Sequence, residues 1–262
     1  MQKKLLIVSI FAPSDFNQQW YSLQKRFIHK NTKMPYEFKV ALNGCDRSTF
    51  EETDILFANN DNIGHSRVLR QTLDYFRSVS RDAYLILDSD CFPVWDGWHD
   101  VLFEQMRAFN KIIAAPVRVE NLDLFPHPSA FFVLGHGVRN PKINFDVAQI
   151  VNLLGGAVAD VGGGMQNIIG QLVMPMLRTN VLNVHPVAAA VYHHLFYHHG
   201  AGSRGFDFRI LKKYEYYRHW HSSDDKEAQG GRLLDSLLSD PDKFIDRLMN
   251  IGSTQNLGSG KI

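Results

Sequence analysis

Ala83–Leu87 is a short apolar run bounded by polar residues, a pattern that predicts a strand buried on both faces, and Leu5–Phe11, apolar but for Ser9, reads as a first strand. Tyr36–Leu42 alternates polar and apolar positions, Asn43-Gly-Cys-Asp46 makes a turn, and Asp54–Ala58 reads as a further short strand. Between these runs the period lengthens to that of a helix. A helix from Asp15 puts Trp20, Leu23 and Phe27 on one face. A second, Gly64–Val79, turns Val68, Leu69, Leu73 and Phe76 inward, and a third spans Trp98–Phe109. Lys111–Pro116 and Ser129–Leu134 return as strands. Such alternation predicts an α/β fold: a mostly parallel sheet, Rossmann-like, flanked by helices and joined by right-handed crossovers.

The second half changes character. Pro126, Pro128 and Pro141 break it, and a glycine-rich segment, Leu154–Gly164, precedes an expected helix over Met165–Leu177. Val181–Val184 reads as a late strand, followed by a His- and Tyr-rich stretch and polar helices to about Asn250. The expected organisation is one α/β domain over residues 1–205, with halves 1–118 and 119–205. A helical C-terminal extension (206–251) and a Gly/Ser tail (252–262) expected to be disordered complete it.

The chain has 262 residues, 45% of them hydrophobic, enough for one sizeable core. Lysine plus arginine number 28 against 27 acids, so no overall field favours nucleic acid or an anionic membrane. The opening Met-Gln-Lys-Lys-Leu-Leu-Ile-Val has the look of a signal peptide, but its apolar core is short and reads better as a first strand. No run approaches the length of a membrane span. Two cysteines, Cys45 and Cys91, make no disulfide framework, which fits a cytoplasmic setting. Cys91 reads as a small buried hydrophobe.

Chemistry enters at Asp88-Ser-Asp90, at the carboxyl end of the Ala83–Leu87 run, where open α/β sheets bind ligands. Asp is a poor strand former, and two carboxylates around a tight turn suit Mg²⁺ or Mn²⁺. The bare D-x-D pattern is weak, and the chain holds a decoy: Asp240-Pro-Asp242 precedes a helical pattern and reads as a helix start. Asn59-Asn-Asp-Asn-Ile-Gly-His65 joins a strand to a helix, whose free backbone donors suit a ligand's polar groups; alone it reads as an Asn/Gly turn. The glycine-rich segment is neither a phosphate-binding P-loop nor a dinucleotide fingerprint. Asp160, set before the expected helix, reads as a helix cap or as a base beside a substrate hydroxyl.

Five of the twelve histidines lie between His185 and His199, including His193-His194 and His198-His199. Neighbours on a strand point to opposite faces, so one of each pair faces a given site, where an imidazole would complete a mixed O/N metal shell. A closed structural zinc site is disfavoured because neither cysteine is nearby. Tyr214, Tyr216, Tyr217 and Trp220 among Lys and Arg read as core cover, with acceptor or peripheral membrane contact as the alternative.

In this order, these pieces resemble the nucleotide-sugar glycosyltransferases of the GT-A fold, especially the family two type of bacterial cell-surface glycan enzymes. The resemblance rests on the first strand, Asn62-Ile-Gly64-His-Ser-Arg-Val-Leu, Leu85-Ile-Leu-Asp-Ser-Asp90, Ala159-Asp160-Val-Gly and Tyr197-His-His-Gly-Ala-Gly-Ser203, and covers about residues 3 to 210. It implies a Mn²⁺- or Mg²⁺-dependent transfer from a nucleoside-diphosphate sugar to a cell-envelope glycan or lipid-linked acceptor. It puts the chain in the cytoplasm or at the inner face of its membrane, and assigns no nucleic-acid partner. Ala12, Pro13, Asn43, Asp46, Asn62, Gly64, Arg67 and Ser89 are implied around the nucleotide sugar, with Arg204 at the diphosphate. Asp90 is implied as a metal ligand, Asp88 at the ribose or metal, and His198 or else His199 in the metal shell. Asp160 is the implied base, although the paired acid usual in inverting members is replaced by Val161-Gly162. The alternatives are a sugar-nucleotide nucleotidyltransferase, disfavoured by the missing Gly-rich nucleotide loop after Val8, and a non-catalytic nucleotide-sugar or glycan-binding protein of the same fold.

Overall fold

The structure is a computed structural model that describes residues 3–119, 124–151, 157–180, 189–200 and 233–254. Its centre is a seven-stranded sheet. In chain order the strands are β1 (Leu5–Phe11), β2 (Tyr36–Asn43), β3 (Ile55–Asn59), β4 (Ala83–Asp88), β6 (Ile113–Pro116), β7 (Ala130–Leu134) and β10 (Val173–Met176). They lie in the order β10-β6-β7-β4-β1-β2-β3. All neighbours are parallel except β7, which runs antiparallel to both β4 and β6. The α/β sheet expected from the alternation is therefore present.

The largely apolar β1 and β4 reflect cover on both faces. Leu6, Val8 and Ile10 of β1 join Tyr84 and Ile86 of β4 against α2 (His65–Ser78), through Val68, Leu69, Leu73 and Phe76. The alternate residues Leu5, Ile7, Leu85 and Leu87 face the other way, against Trp98, Leu102 and Met106 of α3 (Trp98–Ala108). On that same side α1 (Asn17–Asn31) packs Trp20, Leu23 and Phe27 over Val40 and Leu42. Leu234 and Leu237 of α4 (residues 233–239) and Phe244, Ile245 and Leu248 of α5 (Pro241–Thr254) enlarge that cluster. The C-terminal helices thus share a core with the first strands.

The decoy acids behave as a helix start. Asp240 caps the backbone N–H of Lys243 at 3.1 Å, and Asp242 pairs with Arg26 and with Lys30 at 2.9 Å.

Three features differ from the sequence reading. Met165–Leu177 is not a helix: a 3₁₀ turn over Gly163–Ile168 gives way to edge strand β10. Gly170 sits at φ +76° between them, and Pro175 is tolerated because β10 is at the edge. The glycine-rich segment contributes β9 (Ala157–Val161), paired antiparallel with β8 (Val147–Val151). Third, β5 (Cys91–Pro93), β11 (Ala190–Tyr192) and β12 (Phe196–His198) form a small antiparallel sheet in the order β11-β12-β5. The predicted strand Val181–Val184 and the Tyr214–Trp220 stripe lie outside the described residues. No described helix is long and apolar enough to cross a membrane.

Gly44 follows β2 at φ +80°, and a Cβ there would stand 2.7 Å from the Asn62 backbone nitrogen. Gly64, at φ +90°, has open space around it. Gly44→Ala is therefore expected to cost about 1–3 kcal/mol, and Gly64→Ala about 1 kcal/mol from backbone strain alone. Denaturant midpoints at unchanged slope measure both. Equal losses would mean that the Gly44–Asn62 approach is loose.

Candidate metal centre

Because β3, β2, β1 and β4 are parallel, their carboxyl ends lie along one edge of the sheet. Phe11 pairs with Leu42, Asn43 with Asn59, and Ile10 with Asp88. That edge gathers Ala12 and Pro13, Asn43, the Asn62–Gly64 junction and the Asp88-Ser89-Asp90 turn within a few strand spacings of about 4.8 Å.

The Asp turn is pinned from several sides. Gln24, buried on α1, donates its amide to the carbonyls of Asp88 and Cys91, each at 2.7 Å. The Asp88 N–H donates to the Ser129 carbonyl at 3.0 Å. β5 leaves the turn and pairs with β12, setting Cys91 opposite His198, and the His199 N–H donates to the Asp90 carbonyl at 3.0 Å. This pairing brings His198 to the two carboxylates across more than a hundred residues of sequence.

Asp88, Asp90 and His198 each offer a ligand atom, and these atoms all lie within 4.8 Å of one another. His198 Nε2 is 3.4 Å from Asp90 Oδ1 and 3.8 Å from Asp88 Oδ2. Among the described residues no other group of three possible ligands converges in this way. Two carboxylates and one imidazole, without a thiolate, suit a hard to intermediate divalent cation, and the nitrogen favours Mn²⁺ over Mg²⁺.

His199 does not join them. It follows His198 and takes the opposite face, where its ring lies 5.2 Å from that of Trp20 and its Nδ1 bonds the Tyr197 hydroxyl. His193 and His194, both at positive φ, make the tight turn between β11 and β12, and His193 Nε2 meets Gln105 at 2.6 Å. Neither is part of the trio.

Burial opposes charge on His198, but the adjacent Asp90 and then Asp88 more than offset it, and its pKa is raised above the ordinary histidine value of about 6.5. Its proton is thus held more tightly in the folded, metal-free chain than in the unfolded one. That stabilisation is present below the unfolded value and is lost as pH rises through the folded one. A metal ion competes for the same nitrogen, so Mn²⁺ affinity should climb across that window. Calorimetric titration on both sides of it measures the effect. Affinity that did not change with pH would remove His198 from the candidate ligands.

Other residues stand close by. His65 Nε2 lies 3.3 Å from Asp88 Oδ1. The His127 ring lies 5.9 Å from that of His198, and its Nδ1 accepts the Ser129 N–H at 3.3 Å. Burial first, then Arg118, pushes its pKa well down, so it is neutral. Neither histidine stood out in the sequence as a site residue, although His65 directly follows the Gly64 junction.

At the junction after β3, Asn43 donates its amide to Asn62 Oδ1 at 2.8 Å and accepts the Ile63 N–H at 2.9 Å. Asn62 Oδ1 also accepts the Gly64 N–H at 3.0 Å. Asp46 caps Ser48 in an exposed 3₁₀ turn, so its carboxylate is already engaged. Arg67 is exposed on the first turn of α2, and Arg204 lies outside the described residues.

Asp160 precedes no helix of the expected kind. It sits on β9 opposite Ala148, and its carboxylate pairs with Arg118 at 3.1 Å while accepting the Val161 N–H at 2.7 Å. Cys91 is fully buried and its thiol is pushed well up by burial, as befits a packing residue.

No protein-family model and no curated protein matches the chain. Among solved structures, it is similar to the mannosyltransferase PcManGT from Pyrobaculum calidifontis, described in complex with GDP-Man and Mn²⁺. That match has 9% identity and a TM-score of 0.47, over 100% of this chain and 77% of that one. It is also similar to an active-site mutant of LgtC, at 14% identity and a TM-score of 0.42, over 65% and 72% of the two chains. LgtC, a galactosyltransferase, in complex with donor and acceptor sugar analogs matches at 12% identity and a TM-score of 0.39, over 65% and 73%.

Proposed function

We propose that this chain is a metal-dependent glycosyltransferase that moves a sugar from a nucleoside-diphosphate sugar to an acceptor hydroxyl. One observation carries the reading: Asp88, Asp90 and His198 converge at the carboxyl edge of a parallel sheet, beside the Asn43–Asn62–Gly64 junction. That edge is where such sheets take up ligands.

Asp88, Asp90 and His198 would hold a divalent cation, which when bound supplies positive charge to the diphosphate that leaves. Asn43 and Asn62 hold the junction in shape, leaving the backbone around exposed Gly64 open to base or ribose. Asp160 is the residue we assign to proton removal from the acceptor, with Arg118 and the Val161 N–H fixing its carboxylate. A cell-envelope glycan or lipid-linked acceptor completes the reading, in keeping with the sequence resemblance. The nucleotidyltransferase alternative gains nothing: β1 runs into Ala12-Pro13, where the Ala12 carbonyl accepts the Asn17 amide at 3.0 Å, and no Gly-rich phosphate loop follows.

The test is a panel of UDP-, GDP- and dTDP-sugars incubated with the protein and Mn²⁺, read as release of the nucleoside diphosphate with and without candidate acceptors. Mn²⁺-dependent release from one donor is expected. Binding without release from any donor would reduce the chain to a binding protein, and no binding would end the reading.

A further inference from the structure

Asp88 has two oxygens with different partners. Oδ2 faces the trio, 3.8 Å from His198 Nε2, while Oδ1 faces His65 Nε2 at 3.3 Å. His65 is the first residue of α2, and the chain enters it through Gly64 at φ +90°. The Gly64 N–H is bonded to Asn62 Oδ1, the atom that also accepts the Asn43 amide. The imidazole is thus carried by the same short segment that forms the nucleotide junction, and it reaches the metal carboxylate from that side.

We propose that His65 is a positioning residue for the metal centre, holding the outer oxygen of Asp88 so that the inner one points at the cation. The inference rests on the reading of Asp88, Asp90 and His198 as metal ligands. A ligating carboxylate with a free rotor must be ordered at each binding event, and a hydrogen-bond donor on its second oxygen removes that cost. Partners of this kind typically contribute about 10–100-fold in metal affinity. His65 also transmits the junction's position to Asp88, so a nucleotide that settles Asn62 and Gly64 should tighten metal binding, and metal should tighten nucleotide binding by the same factor.

The experiment titrates Mn²⁺ alone, then Mn²⁺ with UDP or GDP, into wild type, His65→Ala and His65→Gln by calorimetry. Circular dichroism verifies folding, and pulsed electron paramagnetic resonance counts imidazole nitrogens on the ion. Wild type should show one imidazole. His65→Ala should bind Mn²⁺ about 10-fold or more weakly while keeping that imidazole signal. His65→Gln, which keeps a donor of similar reach, should recover part of the loss. If wild type binds no Mn²⁺, the metal-centre reading itself fails. If wild type binds and folded His65→Ala binds equally well, only the positioning role is overturned. Disappearance of an imidazole signal in His65→Ala would make His65 a ligand and overturn it too.

Discussion

Asp90→Ala should abolish metal-dependent binding of nucleoside diphosphates while the chain stays folded. Asp90 is only 4% exposed, and its carboxylate stands 3.4 Å from His198 Nε2. Its removal takes away one of the three proposed ligands, a larger loss than the ~10–100-fold that outer partners of a metal site contribute. Folding should survive because His198 keeps a carboxylate partner in Asp88 at 3.8 Å, so no buried charge is stranded. Asp242→Ala is the matched comparison. Its carboxylate is paired on the surface with Arg26 and Lys30, so its loss should cost at most about 1 kcal/mol and leave binding untouched. Calorimetry with Mn²⁺ and nucleoside diphosphate, alongside thermal melts, measures both. Equal binding by the two variants would show that the metal centre has been misassigned.

Asp160→Asn should leave donor binding nearly intact and cut turnover by roughly 100-fold or more, the range expected for a lost general base. The amide keeps an oxygen for Arg118 or the Val161 N–H, so the strand pairing of β9 with β8 should persist. Steady-state kinetics with the donor found in the panel, together with donor calorimetry, separate the two quantities. Turnover near wild type would make Asp160 a structural partner of Arg118 and move the proton-transfer role elsewhere.

The central sheet was legible because its strongest signals are local. Leu5–Phe11, but for Ser9, and Ala83–Leu87 are apolar throughout because helices cover both faces, and the inward residues of α1 and α2 follow one helical stripe each. Asp88 and Asp90 were legible for the opposite reason: carboxylates stand out at the end of a buried strand. What could not be read was long-range pairing. His198 reaches the acids only because β12 pairs with β5, and alternation then sends His199 to Trp20; the sequence shows two adjacent histidines and no register. The stretch leading into β10 imitates a helix in sequence, with Met165, Ile168 and Ile169 spaced as a helical stripe. Gly170 and Pro175 were the local signals against it. The environment of Asp160 was equally hidden, since Arg118 meets it from the end of β6, 42 residues away.

The most direct test of the central claim is thermal denaturation with UDP, GDP and dTDP, each with and without Mn²⁺. A ligand that binds only the folded state at about 100 times its dissociation constant stabilises it by about 2.7 kcal/mol. A shift of that kind is expected for at least one nucleoside diphosphate, present with Mn²⁺, much smaller without it, and absent in Asp90→Ala. A melting temperature that no nucleoside diphosphate raises in the presence of Mn²⁺, or that one raises equally with and without the metal, would contradict it.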